Sequence, residues 1–178
     1  MLTRGSHELV HMSTKSGSMA GMSQPRWLDD REQRAWRSLM VMGAGLSEYI
    51  ERQLRAHSGM SLADYEVLAH LSEAPEGRLR SFALGRLLRW EKSRLSQHLT
   101  RMQKRGLIRR EPCPTDQRGA IVVITETGRA LIEKAAPLTV ADVRTAFIDD
   151  ATPEQLDLLT ELGDQVRARL AQLDPRTR

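Results

Sequence analysis

The sequence pattern with the clearest catalytic chemistry is His7-Glu8-Leu9-Val10-His11. Two histidines one helical turn apart can bind Zn²⁺ while the intervening glutamate acts as a general base. The pattern lies in a stretch rich in Ser, Gly and Met that has neither a hydrophobic period nor an evident third ligand. We therefore expect no metal site and no catalysis here, and we predict that residues 1–24 form a disordered or vector-derived tail.

The other residues capable of covalent or metal chemistry are isolated in the sequence. His57, His70 and His98 show no ligand spacing, and no nucleophile triad, carboxylate pair or phosphate-binding glycine loop occurs. We therefore expect a protein that is not an enzyme and has no cofactor. Cys113, the single cysteine, cannot form an intramolecular disulfide. Nearby arginines favour its thiolate, so oxidation of Cys113 is a hypothesis, with an unreactive loop thiol as the alternative.

Positive charge is concentrated in one segment of the chain. Residues Arg78–Arg118 include twelve Lys and Arg against three Asp and Glu, a net charge of +9, whereas the whole chain carries +4. The remaining residues therefore carry −5. A basic segment inside an otherwise acidic chain is typical of a protein that binds a polyphosphate such as nucleic acid, and a solvated charged face is the alternative.

The basic segment also has the pattern of a helix-turn-helix. Ser81 is predicted to cap a short apolar helix, and after a turn at Arg89-Trp90 a second helix should run from Glu91 to Arg105. One side of this second helix is an apolar core stripe made of Leu95, Leu99 and Met102. The opposite side presents polar and basic side chains suited to base edges and phosphates in a major groove, namely Ser93, Arg94, Gln97, Thr100, Arg101 and Lys104.

Two β-prone runs follow, Leu107–Glu111 and Ala120–Ile124. The residues between them, Pro112–Gly119, are predicted to form a hairpin loop, which we call the wing. Arg118 near its tip is placed to enter a minor groove, and Asp116 is placed to hold that arginine. An ordinary hairpin with an exposed arginine is the alternative.

Amphipathic helices flank this region. One is predicted over Trp27–His57, and another follows Ser61, whose hydroxyl can cap it with Asp64 in the first turn. Thr152-Pro153-Glu154-Gln155 should begin a C-terminal helix. Its apolar stripe consists of Leu156, Leu159, Leu162, Val166, Leu170 and Leu173. These stripes exceed what one wing domain can cover, so we expect a homodimer rather than a closed monomeric core.

Together the patterns predict a fold that is mainly α with a small antiparallel β wing, a winged helix-turn-helix with N- and C-terminal dimerisation helices. Residues 25–178 should form a single domain, in which 61–128 bind DNA and 27–57 and 129–173 dimerise. The longest apolar runs are only a few residues and no secretory signal is visible. We therefore expect a cytoplasmic protein without membrane association.

Three motifs carry a resemblance to a known family. They are the wing sequence Asp116-Gln117-Arg118-Gly119, the run from Leu99 to Arg110, and Ile124-Thr125-Glu126-Thr127-Gly128-Arg129 at the start of the next helix. As a set they resemble the multiple-antibiotic-resistance regulator (MarR) family over Leu62–Ala136. With the flanking helices, the likeness extends over about Trp27–Leu173.

The resemblance implies a homodimeric transcription regulator associated with the nucleoid, expected to repress, whose protomers each read half of a palindromic operator in double-stranded DNA. It also implies a small, often aromatic effector in the cleft between the dimer helices and the reading head. Trp36, Met40 and Tyr65 are candidate lining residues, with core packing as the alternative. A winged-helix module that binds protein without specific DNA binding is the rival interpretation.

The residues expected to contact DNA fall into groups. Major-groove reading is assigned to Ser93, Arg94, Gln97 and Arg101, and minor-groove reading to Arg118. Phosphate contacts are assigned to Arg80, Lys92 and Lys104. Ser96 on the same helix and Asp116 in the wing complete the predicted set.

Overall fold

The structure is a computed structural model that describes residues 26–113 and 116–173, with only the backbone described for 116–119. The chain divides into two compact units, the first ending at Ser38 and the second beginning at Leu39. In chain order the elements are α1 (Asp30–Ser58), α2 (Leu62–Glu73), β1 (Arg78–Arg80), α3 (Ser81–Leu88), α4 (Lys92–Lys104), β2 (Ile108–Cys113), β3 (Asp116–Ile124), α5 (Glu126–Val143) and α6 (Pro153–Leu173). A 3-10 turn precedes β1, and a single π turn follows α5.

The predicted caps are confirmed at two helices and wrong at a third. Ser61 and Asp64 form a reciprocal capping box at α2, and Thr152 and Gln155 exchange the same two bonds ahead of α6. Ser81 does not cap α3. Because β1 runs directly into α3, Arg80 takes the extended N-cap conformation and Ser81 is already the first helical residue.

The three strands form one antiparallel sheet in the order β1-β3-β2. Val122 of β3 pairs with Leu79 on one side and with Arg110 on the other. The predicted wing loop was too long, since pairing continues to Cys113, which lies opposite Asp116, after an irregularity at Pro112. Proline is tolerated here because β2 is an edge strand, where a missing N–H breaks no ladder bond on the outer side.

The buried core joins α1, α2, α3, α4, α5 and the sheet. The predicted stripe of α4 is confirmed, since Leu95, Leu99 and Met102 are buried, and Ile50 and Leu54 of α1 pack in the same cluster. Gly106 ends the turn after α4 with φ +72°, the left-handed conformation expected for it.

Helix α6 contributes none of the buried residues of the described chain. Its large apolar side chains are exposed: Leu158, Leu159, Leu162, Val166, Leu170 and Leu173. Leu39, Met40, Val41 and Met42 of α1 are exposed as well. The fold therefore leaves extended apolar surface on both terminal helices. Within the described residues, no helix is long and apolar enough to cross a membrane.

Candidate nucleic-acid interface

The side chains that the sequence assigned to groove contact share one exposed face of α4. Leu95, Leu99 and Met102 hold the opposite face in the core. Because the helix turns by 100° per residue, burial of this stripe projects the remaining positions outward. The exposed residues on α4 are the assigned Lys92, Ser93, Arg94, Ser96, Gln97, Arg101 and Lys104, together with Thr100 and Gln103. No acidic residue lies within the helix Lys92–Lys104, so this face is cationic and rich in hydrogen-bond donors.

Two arginines on this face are held by aromatic side chains. The Arg94 guanidinium lies over the Trp90 ring, with its central carbon 4.3 Å from the ring centroid. The Arg101 Nη2 donates to His98 Nδ1 at 3.2 Å. Trp90 and His98 meet edge to face, with ring centroids 5.1 Å apart. Both arginines therefore leave the helix with their guanidinium groups supported by one aromatic pair.

A buried ionic cluster lies behind this pair, and sequence reasoning missed it. Asp64 is 3% exposed and His98 7% exposed. Arg105 donates to Asp64 Oδ2 at 2.7 Å, and His98 Nε2 lies 3.2 Å from Asp64 Oδ1. That second contact is not aligned as a hydrogen bond, and Nε2 makes no hydrogen bond to the described chain. His98 is three residues beyond Leu95 and next to Leu99, which could have placed it on the buried face.

The Asp64 carboxylate stays ionised in this cluster. Burial by itself raises the pKa of the carboxyl, but the neighbouring His98 and Arg105 and the bonds from Ser61 outweigh it and hold that pKa well below its usual range. The anion therefore joins the start of α2 to Arg105, which follows the end of α4.

Strand β2 is also bonded to α4. Arg110 of β2 donates to the Ser96 carbonyl at 2.8 Å, and Arg78 of β1 pairs with Glu111 of β2 at 2.5 Å. The Arg110 bond therefore ties the sheet to α4, and the Arg78–Glu111 pair joins the two edge strands of the sheet. Arg80, assigned to phosphate, is exposed at the end of β1. The side chains of Asp116 and Arg118 lie outside the described residues, so their predicted roles stay predictions.

Cys113 is the last residue of β2 and is buried, with 6% exposure. Oxidation needs an accessible thiolate, so burial of this sulfur favours the unreactive alternative. The redox role stays a prediction. A response of DNA binding to peroxide that is the same in Cys113→Ser as in the wild type would remove it.

The candidate effector residues are in different environments. Trp36 and Met40 are exposed on α1, and Tyr65 of α2 is partly buried against the core. A cleft of about 420 Å³ lies elsewhere, between the π turn and the start of α6, and is lined by Phe147, Leu156, Leu159 and their neighbours. It contains none of the candidate effector residues.

No group of three or more His, Cys, Asp or Glu in the described ranges could hold a metal ion. The His7–His11 pattern lies outside those ranges. The exposed face of α4 offers hydrogen-bond donors and positive charge.

Together α3, α4 and the three-stranded sheet define a winged helix-turn-helix. A family model described as MarR family matches residues 58–119. AbsC, a MarR family transcriptional regulator from Streptomyces coelicolor, is 39% identical, with 83% of this chain and 99% of AbsC covered and a TM-score of 0.79. Sco3205, a MarR family transcriptional regulator from the same organism, solved in complex with DNA, is 37% identical over 86% of this chain and 94% of its own, with a TM-score of 0.78.

A mutant MarR from E. coli complexed with operator DNA shares the fold at 22% identity and a TM-score of 0.68, over 75% of this chain and 93% of its own. This chain belongs to the MarR family of transcriptional regulators. The resemblance inferred from the three sequence motifs is thus confirmed, as is the fold class.

Proposed function

We propose that this chain binds double-stranded DNA as a homodimer, reads a palindromic operator, and represses transcription until a small effector releases it. The observation that carries the proposal is the exposed face of α4, cationic and free of acids, with its apolar back locked in the core. A 37% identical family member has been solved in complex with DNA. Its likeness over most of both chains supports the same use of α4 here.

The side chains of α4 suit two kinds of DNA contact. Arg94, Gln97 and Arg101 carry several donors or a donor–acceptor pair that can bond base edges in the major groove, and Ser93 and Ser96 add hydroxyls. Lys92, Lys104 and Arg80 are long, exposed cations suited to phosphates. Arg118 in the wing is assigned to the minor groove and Asp116 to holding it. This division predicts that some substitutions alter specificity and others alter only affinity.

Exposed apolar surface supports the homodimer. Six large apolar residues of α6 project into solvent in the single chain, and a soluble monomer rarely leaves a contiguous apolar stripe uncovered. A two-fold dimer would bury this stripe against its copy and would present two α4 helices about one DNA turn apart. Such spacing matches a palindrome with its half-sites in successive major grooves.

Release by a small effector of aromatic type completes the proposal. The candidate contacts for the effector are Tyr65, which borders the core, and Met40 and Trp36, which are exposed on α1. An effector that binds preferentially to dimers whose α4 helices do not match the operator spacing would raise the population of those dimers, and operator affinity would fall. A regulator of this kind would act on the chromosome in the cytoplasm.

The test is selection of bound sequences from a random duplex library with the full chain. The proposal predicts an enriched two-fold symmetric motif and a binding affinity that falls steeply as salt rises. Weak binding that ignores sequence would contradict it and would favour a general nucleic-acid surface. Absence of salt-dependent DNA binding would instead favour the winged-helix module that binds protein.

A further inference from the structure

His98 has an environment that a purely structural core residue does not need. It is 7% exposed, yet both ring nitrogens face charged groups. Arg101 Nη2 is 3.2 Å from Nδ1, and Asp64 Oδ1 is 3.2 Å from Nε2. An apolar side chain of similar size would fill the same space without the cost of desolvating two polar atoms. The polar atoms of the histidine are therefore in use, with Nδ1 bonded to Arg101 and Nε2 facing Asp64.

The contact with Arg101 determines the form of the imidazole. A guanidinium only donates, so Nδ1 must be the acceptor and must carry no proton. In the neutral ring the proton then lies on Nε2, the nitrogen that faces the Asp64 carboxylate. The Asp64 carboxylate favours this tautomer because its negative charge attracts the Nε2–H dipole, although the two groups are not aligned for a hydrogen bond. Asp64 is itself fixed by the capping box at α2 and by Arg105.

We propose that His98 is a positioning residue for DNA reading, which holds the Arg101 guanidinium on the exposed face of α4, and that Asp64 maintains the tautomer that makes this possible. The inference rests on the proposed DNA-binding function and names how one of its reading residues is oriented. A guanidinium has five donors, so the bond to His98 leaves donors for a base edge. A side chain already held in its bound geometry loses less conformational entropy on binding.

The same histidine supports a second arginine indirectly. Trp90 meets the His98 ring edge to face, and Arg94 lies over the Trp90 ring. Removing the imidazole would therefore loosen the platform under Arg94 as well as the bond to Arg101. Sequence selectivity should depend on His98 although its own side chain is buried away from DNA.

Two substitutions separate the two ring nitrogens. In His98→Asn the amide oxygen occupies the place of Nδ1 and can still accept from Arg101, whereas the contact with Asp64 is lost. In His98→Gln the amide nitrogen occupies the place of Nε2 and faces Asp64, but no acceptor remains for Arg101. Gln103→Ala, at an exposed position on the same helix, serves as the matched control.

The experiment measures the affinity of each full-length variant for the library-selected duplex and for a scrambled duplex. We expect the ratio of the two affinities to fall about 10-fold in His98→Gln, in the range for loss of one base-reading pair, and to stay within about 3-fold of wild type in His98→Asn. Gln103→Ala should follow the wild type throughout.

Equal ratios for wild type and His98→Gln, with both folded by circular dichroism, would overturn the positioning role while leaving the proposed function intact. A wild type without any preference for its selected duplex would overturn the proposed function, and this inference with it. If the His98 variants do not fold, Arg101→Ala takes their place. Its ratio should also fall about 10-fold, and a ratio equal to that of the wild type would refute the inference.

Discussion

Gly128 offers a sharp test of how the wing is joined to the body. It is buried in the first turn of α5, and a Cβ added there would lie 2.1 Å from the Leu107 carbonyl oxygen and 3.1 Å from Ile124 Cγ1. The Leu107 carbonyl cannot move freely, because it accepts the N–H of Thr125, the N-cap of α5. Gly128→Ala must therefore displace backbone at the junction of β2, β3 and α5.

The magnitude of the effect follows from these contacts. Overpacking costs about 1–3 kcal/mol, and the weakened bond between Thr125 and Leu107 about 1 kcal/mol more. We expect Gly128→Ala to lower the free energy of unfolding by about 2–4 kcal/mol, which for a chain of this size lowers Tm by roughly 5–15 °C. Thermal unfolding followed by circular dichroism at fixed protein concentration measures it.

Gly45→Ala is the matched control. Gly45 lies in the interior of α1 with nothing within 4 Å of the added Cβ, so alanine should stabilise this helix by about 0.5–1 kcal/mol. The same chemical change should thus have opposite effects at the two sites. A Gly128→Ala variant as stable as the wild type would show that the close approach of α5 to Leu107 is not a packing constraint in the protein.

Four further predictions concern stability, assembly and DNA contact. Asp64→Asn should lower the free energy of unfolding by about 1.5–3 kcal/mol at pH 7. Although burial raises the pKa of Asp64, its ionic partners outweigh that effect, and the pKa in the folded chain lies below the unfolded value of about 3.9. The stabilisation by the carboxylate is therefore present above that value and is lost as the pH falls below it, so the free energy of unfolding measured in urea should vary less with acid pH in the variant. Arg89→Gly should raise the unfolding free energy by about 0.5–1 kcal/mol, since Arg89 has a left-handed φ of 54°, as thermal unfolding would report. Val166→Asp should convert a dimer to a monomer in sedimentation, and an unchanged mass would show that α6 is not the interface. Lys104→Ala should weaken binding to all duplexes alike and reduce the salt slope by about 1, whereas Arg118→Ala should weaken selected sites by about 1–3 kcal/mol in binding titrations.

Local sequence patterns predicted most elements of the fold. The stripe of Leu95, Leu99 and Met102 determined which face of α4 is buried, and the Ser61–Asp64 and Thr152–Gln155 spacings located two helix starts. These features depend on residues within a few positions of one another, so periodicity and capping chemistry are sufficient to find them.

Features that depend on distant residues could not be predicted. The bond between Asp64 and Arg105 and the contact between Asp64 and His98 join α2 to the region of α4 only in the folded chain. The sequence predicted Asp64 only as a favourable residue in the first turn of a helix, and His98 only as an ordinary histidine. The end of β2 was also misplaced, because proline usually marks a loop and only the edge position of this strand permits Pro112 within it.

The proposed function requires that two copies of this chain read one palindrome. The most direct measurement compares the library-selected duplex with one in which a single half-site is scrambled, using binding titrations together with the mass of each complex in sedimentation. We expect two chains on the intact site and an affinity lower by roughly 100-fold or more when one half-site is lost, since each half supplies about half of the specific free energy. One chain per duplex, or equal affinity for the two duplexes, would contradict it.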